Sequence, residues 1–148
     1  MLQKIILNFG SMKTIYALFL FALFFVAVIT CQPKKSVTIT GGGKGGNVTI
    51  KIAPEFYGSF VDTCMVFVKY GTLDAPAGGV YDDSVVCIVS NDTSFATFSN
   101  LTVGLYYFFG KGYHEAGGHP PNVKGAQTCT ISTDGSYLFY LPTYSYTP

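Results

Sequence analysis

The side chains best equipped for chemistry lie in one glycine- and proline-rich stretch: His114, Glu115 and His119. Imidazoles with a carboxylate can hold zinc. A zinc-protease helix, however, carries H-E-x-x-H, which puts both imidazoles on one face. Here the spacing is H-E-x-x-x-H, with Ala116-Gly117-Gly118 inside it and Pro120-Pro121 behind it. Glycine and proline oppose a helix at this point. The three residues are therefore loop-borne metal candidates, and a solvated loop is the plainer expectation. Asp74, Asp82 and Asp83 fall in or beside a second loop, but without the alternate spacing of a calcium loop; turn-forming Asp is expected there. A nucleophile needs a base and a group to orient it. Both histidines share one loop and no G-x-S-x-G is present. The sequence thus predicts no catalytic residue, no cofactor and no enzyme.

Composition narrows the field further. The 148 residues carry a net charge of +1, and all nine basic residues are Lys. Without Arg there is no bidentate clamp for carboxylate or phosphate. Without clustered positive charge, nucleic acid is not an expected partner. Tyr, Phe, Val and Thr in quantity, with 17 Gly, favour strands and turns. Of the four Cys, Cys64 and Cys87 sit in consecutive strand-like runs and form the preferred disulfide pair. Cys129 is then free or pairs with one of them; the alternative is that all three are small buried hydrophobes. No pair has the CxxC spacing of a metal or redox site.

The N-terminus has a different character. Residues 15–29 (IYALFLFALFFVAVI) contain no charge, Gly or Pro, and Lys13 precedes them. A positive flank and an apolar run of this length make a secretory signal, since a membrane span needs about 20 apolar residues. Met12 is the expected true start. The run ends Val28-Ile29-Thr30-Cys31, which resembles a bacterial lipobox; the resemblance implies that Cys31 becomes the lipidated first residue. The Gly-rich stretch behind it reads as a flexible tether. The expected organisation is a signal helix over 1–30, lipidated Cys and tether over 31–46, and one domain over 47–148. Location follows: exported and lipid-anchored to the bacterial outer membrane, with secretion as the alternative.

Seven runs with strand character follow, at the spacing of an all-β sandwich. They cover 48–52, 62–70, 84–89, 95–98, 104–111, 127–131 and 137–141. Val48, Ile50 and Ile52 share one face, as do Cys64, Val66, Val68 and Tyr70. The most informative stretch is 96–113, with Phe98, Leu101, Gly104, Tyr106, Phe108, Gly112 and Tyr113 as its skeleton. Phe98 ends a strand, Leu101 plugs the bend, and Tyr106 and Phe108 point inward on the next strand. This F-x-x-L-x-x-G-x-Y corner resembles the transthyretin-like, Ig-like sandwiches of Cna-B and carboxypeptidase-regulatory modules. The whole chain resembles small Bacteroidetes lipoproteins, with Lys34-Lys35 and a Gly-rich stretch after the lipid Cys. The transthyretin-like fold also hosts a purine-pathway hydrolase that relies on Arg, which this chain lacks. A Cna-B isopeptide is not expected either, because Lys51 faces away from the core and the last strand has no Asn.

The functional expectation is a non-catalytic binding or accessory module of the cell envelope, held to the membrane by its N-terminal lipid. Its partner would be an envelope protein or a glycan, the latter suggested by the aromatic C-terminus (Tyr137, Phe139, Tyr140, Tyr144 and Tyr146). The alternatives are a structural subunit of an envelope complex and a metal-dependent enzyme using the His114–His119 loop.

Overall fold

The computed structural model describes residues 38–90, 92–115 and 121–148. The signal helix, Cys31 and His119 lie outside the described residues. The compact unit Thr38–Pro148 is all-β. Its strands are β1 (Lys44–Phe56), β2 (Ser59–Phe60), β3 (Thr63–Tyr70), β4 (Asp83–Val86), β5 (Ile88–Ser90), β6 (Thr93–Leu101), β7 (Gly104–Tyr113), β8 (Asn122–Ile131) and β9 (Gly135–Ser145). Among the described residues no helix is long and apolar enough to cross a membrane.

The strands run in the order β4-β3-β7-β8-β9-β1-β6-β5, with β2 attached to β1. This path folds into two sheets, β9-β1-β6-β5 and β4-β3-β7-β8, facing each other as a nearly closed sandwich. Alternation explains the core. Val48, Ile50 and Ile52 are fully buried from one side, and Val66, Val68, Tyr106 and Phe108 from the other. Each such side chain contributes about 1.5–3 kcal/mol on burial. Asn100, in a left-handed conformation (φ 59°), breaks the alternation in β6. Both Ser99 and Asn100 therefore face solvent, and Leu101 returns to the core.

Among the described residues nine strands stand where the sequence predicted seven. β2 is a two-residue extension of the β1 turn. The other addition is a split: the predicted strand over 84–89 breaks at Cys87. β4 pairs with β3 in one sheet and β5 pairs with β6 in the other, so the chain changes sheets at this residue. Cys87 is bonded there to Cys64 of β3, Cα to Cα 5.3 Å, and its N–H donates to the Cys64 carbonyl at 2.9 Å.

The opposite side closes differently. β8 and β9 form a hairpin paired only at its far end, from Val123↔Ser145 to Gly125↔Thr143. Towards the Asp134-Gly135 turn they splay, β8 onto β7 and β9 onto β1, which it joins in parallel over eight residue pairs. Leu141, fully buried, fills the fork. It lies over Gly110 and Gly125, which are cross-strand partners. A Cβ on Gly110 would stand 3.3 Å from the Leu141 side chain, and one on Gly125 would run into the Pro142 carbonyl.

The expected tether also looks different at its downstream end. β1 begins at Lys44 rather than in the 47–52 region, and Gly41–Gly43 lie against the β6–β7 bend. The Leu105 N–H donates to Gly41 O at 2.7 Å and the Thr102 N–H to Gly43 O at 2.9 Å. A Cβ on Gly42 would stand 2.6 Å from Leu105 O, so only glycine allows this approach. Tyr106 locks the bend: its hydroxyl donates to the carbonyl of Thr102, four residues back, and accepts from the Gly43 N–H at 3.3 Å. Tyr137 repeats the device at the β8–β9 turn, donating to Thr133 O at 2.9 Å. A strand-starting Tyr bonded to the preceding backbone is the tyrosine corner of sandwich folds.

Two outcomes follow for equilibrium urea unfolding. Tyr106→Phe costs about 1 kcal/mol, the net value of a buried hydrogen bond, whereas Tyr137→Phe, at an exposed turn, costs less; equal losses would refute the locking role of Tyr106. The Cys64→Ala/Cys87→Ala double variant loses about 3 kcal/mol, as expected for freeing a loop of this size, and no loss would show that the sheet crossing holds without the bond.

Candidate functional site

The outer face of the β4-β3-β7-β8 sheet assembles residues that are scattered along the chain. Strand register places Val86, Met65, Lys111, Lys124 and Tyr144 in one row across five strands. The neighbouring row runs Thr63, Tyr113, Asn122, and it is extended by Tyr146, whose N–H donates to Asn122 O at 2.9 Å. Val86, Met65 and Lys111 of the first row, with the whole of the second, line an open groove of about 540 Å³, floored by Gly112 and the Cys64–Cys87 bond; Lys124 and Tyr144 continue the first row beyond it. Gly112 is required by the close approach of β3, because its Cβ would stand 2.8 Å from that of Cys64.

Aromatic rings cover the next row of the same face, beyond Met65 and Lys111. Phe67 and Phe109 are cross-strand partners, and Tyr81 folds over both, stacked on Phe109 at 6.0 Å. The Lys111 ammonium lies 5.3 Å from the Phe67 ring centre, and that of Lys124 lies 4.6 Å from the Tyr146 ring and 5.9 Å from the Tyr144 ring. Ring faces attract cations; Tyr146, which lines the groove, draws the Lys124 ammonium towards it, whereas Phe67 draws that of Lys111 to the far side of its row. Among the described residues no carboxylate lines the groove.

The acidic residues are engaged elsewhere. Asp82 accepts from Lys69 Nζ and from the Tyr70 N–H, both at 2.7 Å, and Asp83 pairs with Lys44 at 2.7 Å. The Lys69 hydrogen bond holds the Asp82 carboxyl below its ordinary value, and the Lys44 hydrogen bond does the same for Asp83. Burial, with the Asp83 charge behind it, pushes the Tyr70 phenol up to about 12. These carboxylates are neutralised by lysine and organise the loop ahead of β4.

The structure does not assemble His114 and Glu115 as metal ligands. The His114 side chain is only 10% exposed. Its ring packs edge-on against Phe56 at 5.5 Å, with Nδ1 3.2 Å from Asp62 Oδ2 but not aligned for a hydrogen bond. The backbone N–H of Glu115 donates to the same Asp62 oxygen at 2.8 Å. Among the described residues no three His, Cys, Asp or Glu side chains gather to hold a metal. Cys129 is free and buried, and burial pushes its thiol up to about 12, which leaves it a packing residue.

Sequence reading found the aromatic C-terminus and the cysteine pair but missed the groove. Lys111 and Lys124 become neighbours only through the β7–β8 register. The available signal was the near-symmetric placement of Lys111-x-Tyr113 and Asn122-x-Lys124 about the intervening loop, as in a hairpin. No family model matches the chain, and no curated protein matches it.

The two lowered carboxyl groups predict an acid sensitivity. Their contribution to stability is complete above about pH 4 and is lost as the pH falls through their folded-state values. The urea midpoint should therefore decline in acid, and more gently for Asp82→Asn/Asp83→Asn; parallel curves for variant and parent would remove these pairs from the account.

Proposed function

We propose that this chain is an exported lipoprotein, anchored through Cys31 to the bacterial outer membrane, whose sandwich is a non-catalytic binding module of the cell envelope. The observation that carries the reading is the pairing of an export-type apolar run ending at Cys31 with a compact domain closed by a Cys64–Cys87 disulfide. Disulfides persist in oxidising compartments outside the cytoplasm. The groove supports binding, because among the described residues its lining offers lysine, amide, hydroxyl and ring faces and no acid or imidazole. The finer fold assignment, a transthyretin-like sandwich, draws support from the Phe98-Leu101-Gly104-Tyr106 corner, in which the Tyr is bonded back to Thr102.

A second reading, a structural subunit of an envelope complex, is favoured by one feature. Val86, Ile88 and Val89 are each at least 60% exposed on the edge segments β4 and β5, with no charge between Ser84 and Ser90. Uncharged apolar edges invite pairing with another chain.

Mass spectrometry of the mature protein tests the anchor. The expected N-terminal residue is a lipid-modified Cys31, with loss of the modification and release from the membrane fraction in Cys31→Ser. An unmodified terminus at or beyond Cys31 would refute it.

A further inference from the structure

We infer that the groove over β3, β7 and β8 binds an acidic polysaccharide, with Lys111 and Lys124 meeting its charged groups and Tyr113, Tyr144 and Tyr146 stacking on its sugar rings. This deepens, and rests on, the reading of the sandwich as a binding module. Lys111 and Lys124 are directly opposed on neighbouring strands. Directly opposed side chains stand about 5 Å apart at Cβ, and like charges there are destabilising. A carboxylate between them would relieve that cost, yet the ion pairs among the described residues use Lys44, Lys69 and His114 instead. The two ammonium groups rest on rings, Lys111 on Phe67 and Lys124 on Tyr146, and among the described residues neither meets an anion of the chain's own.

The surroundings select the kind of anion. Tyr113 is 43% exposed and Tyr144 59%. A flat phenol ring presents a negative face, onto which the C–H face of a pyranose ring packs while its hydroxyls reach Asn122 and Thr63. The open groove lets a polymer pass through rather than enclosing a small molecule. An extended peptide would need free backbone groups, but β3 and β7 are paired on both sides. An anionic membrane surface is held by clusters of about 4–8 basic residues, and this face presents two lysines without acidic partners.

Isothermal titration of the full chain in non-ionic detergent tests the site, with oligogalacturonate as probe and neutral maltohexaose, polyglutamate and anionic phosphatidylglycerol vesicles as comparisons. Oligogalacturonate should bind and be weakened by added salt, whereas the neutral sugar should not bind. Lys111→Gln and Lys124→Gln should each weaken it about threefold to fivefold, and Tyr144→Ala should weaken it too, whereas Lys51→Gln, on the other sheet, should leave it unchanged. Absence of oligogalacturonate binding by a chain with its disulfide intact would overturn the inference, as would binding indifferent to both lysines. Equal binding of polyglutamate or vesicles would overturn the choice of a sugar polymer. None of these outcomes bears on Cys31, whose lipid is read separately by mass.

Discussion

Two stacked four-stranded sheets have four open edges, and each open edge carries unpaired amides and carbonyls that solvent or another chain must satisfy. This domain depends on how it stitches those edges together in pairs. On one side the chain crosses from sheet to sheet at Cys87, and the bond to Cys64 pins the crossing to the start of β3. On the other side one hairpin forks, and Leu141 wedges the fork over two glycines that offer it no side chains. The core residues are ordinary sandwich residues; the stitching gives them a nearly closed container.

The same closure produces the groove. The disulfide that joins the sheets also forms part of the groove floor, and Gly112 brings β3 and β7 close enough to place Cys64 there. The start of β8, held by the forked hairpin, brings Lys124 opposite Lys111 and sets Tyr144 and Tyr146 beside them. The proposed binding face is thus a by-product of the two stitches, and its chemistry is carried by residues that have no role in the core.

Much of the fold was legible in the sequence because period-two alternation reports burial directly: Val48, Ile50 and Ile52, then Cys64, Val66 and Val68, all face the interior. The split at Cys87 was illegible because the run from Ser84 to Ser90 has no Gly or Pro to mark a crossing. Its exposed valines and isoleucine also read like core residues. The docking of Gly41–Gly43 was hidden for the opposite reason. A glycine run has the composition of a loose linker, and only the partner backbone at Leu105 turns it into a contact. The lysine pair depends on register between strands, which no local pattern encodes.

The parallel pairing of β1 with β9 has a consequence for the life of the chain before it is folded. β1 is central to its sheet, yet one neighbour is the last strand; the contact between Thr143 and Glu55, for example, spans 88 residues. Non-local pairings of this kind form slowly, because loop closure must precede any gain from the contact. The first sheet cannot be completed until the end of the chain is available, and the disulfide at the sheet crossing, too, awaits an oxidant. A polypeptide built this way stays threadable while it is being made, which is what the proposed export, through a narrow translocation channel, would require of it.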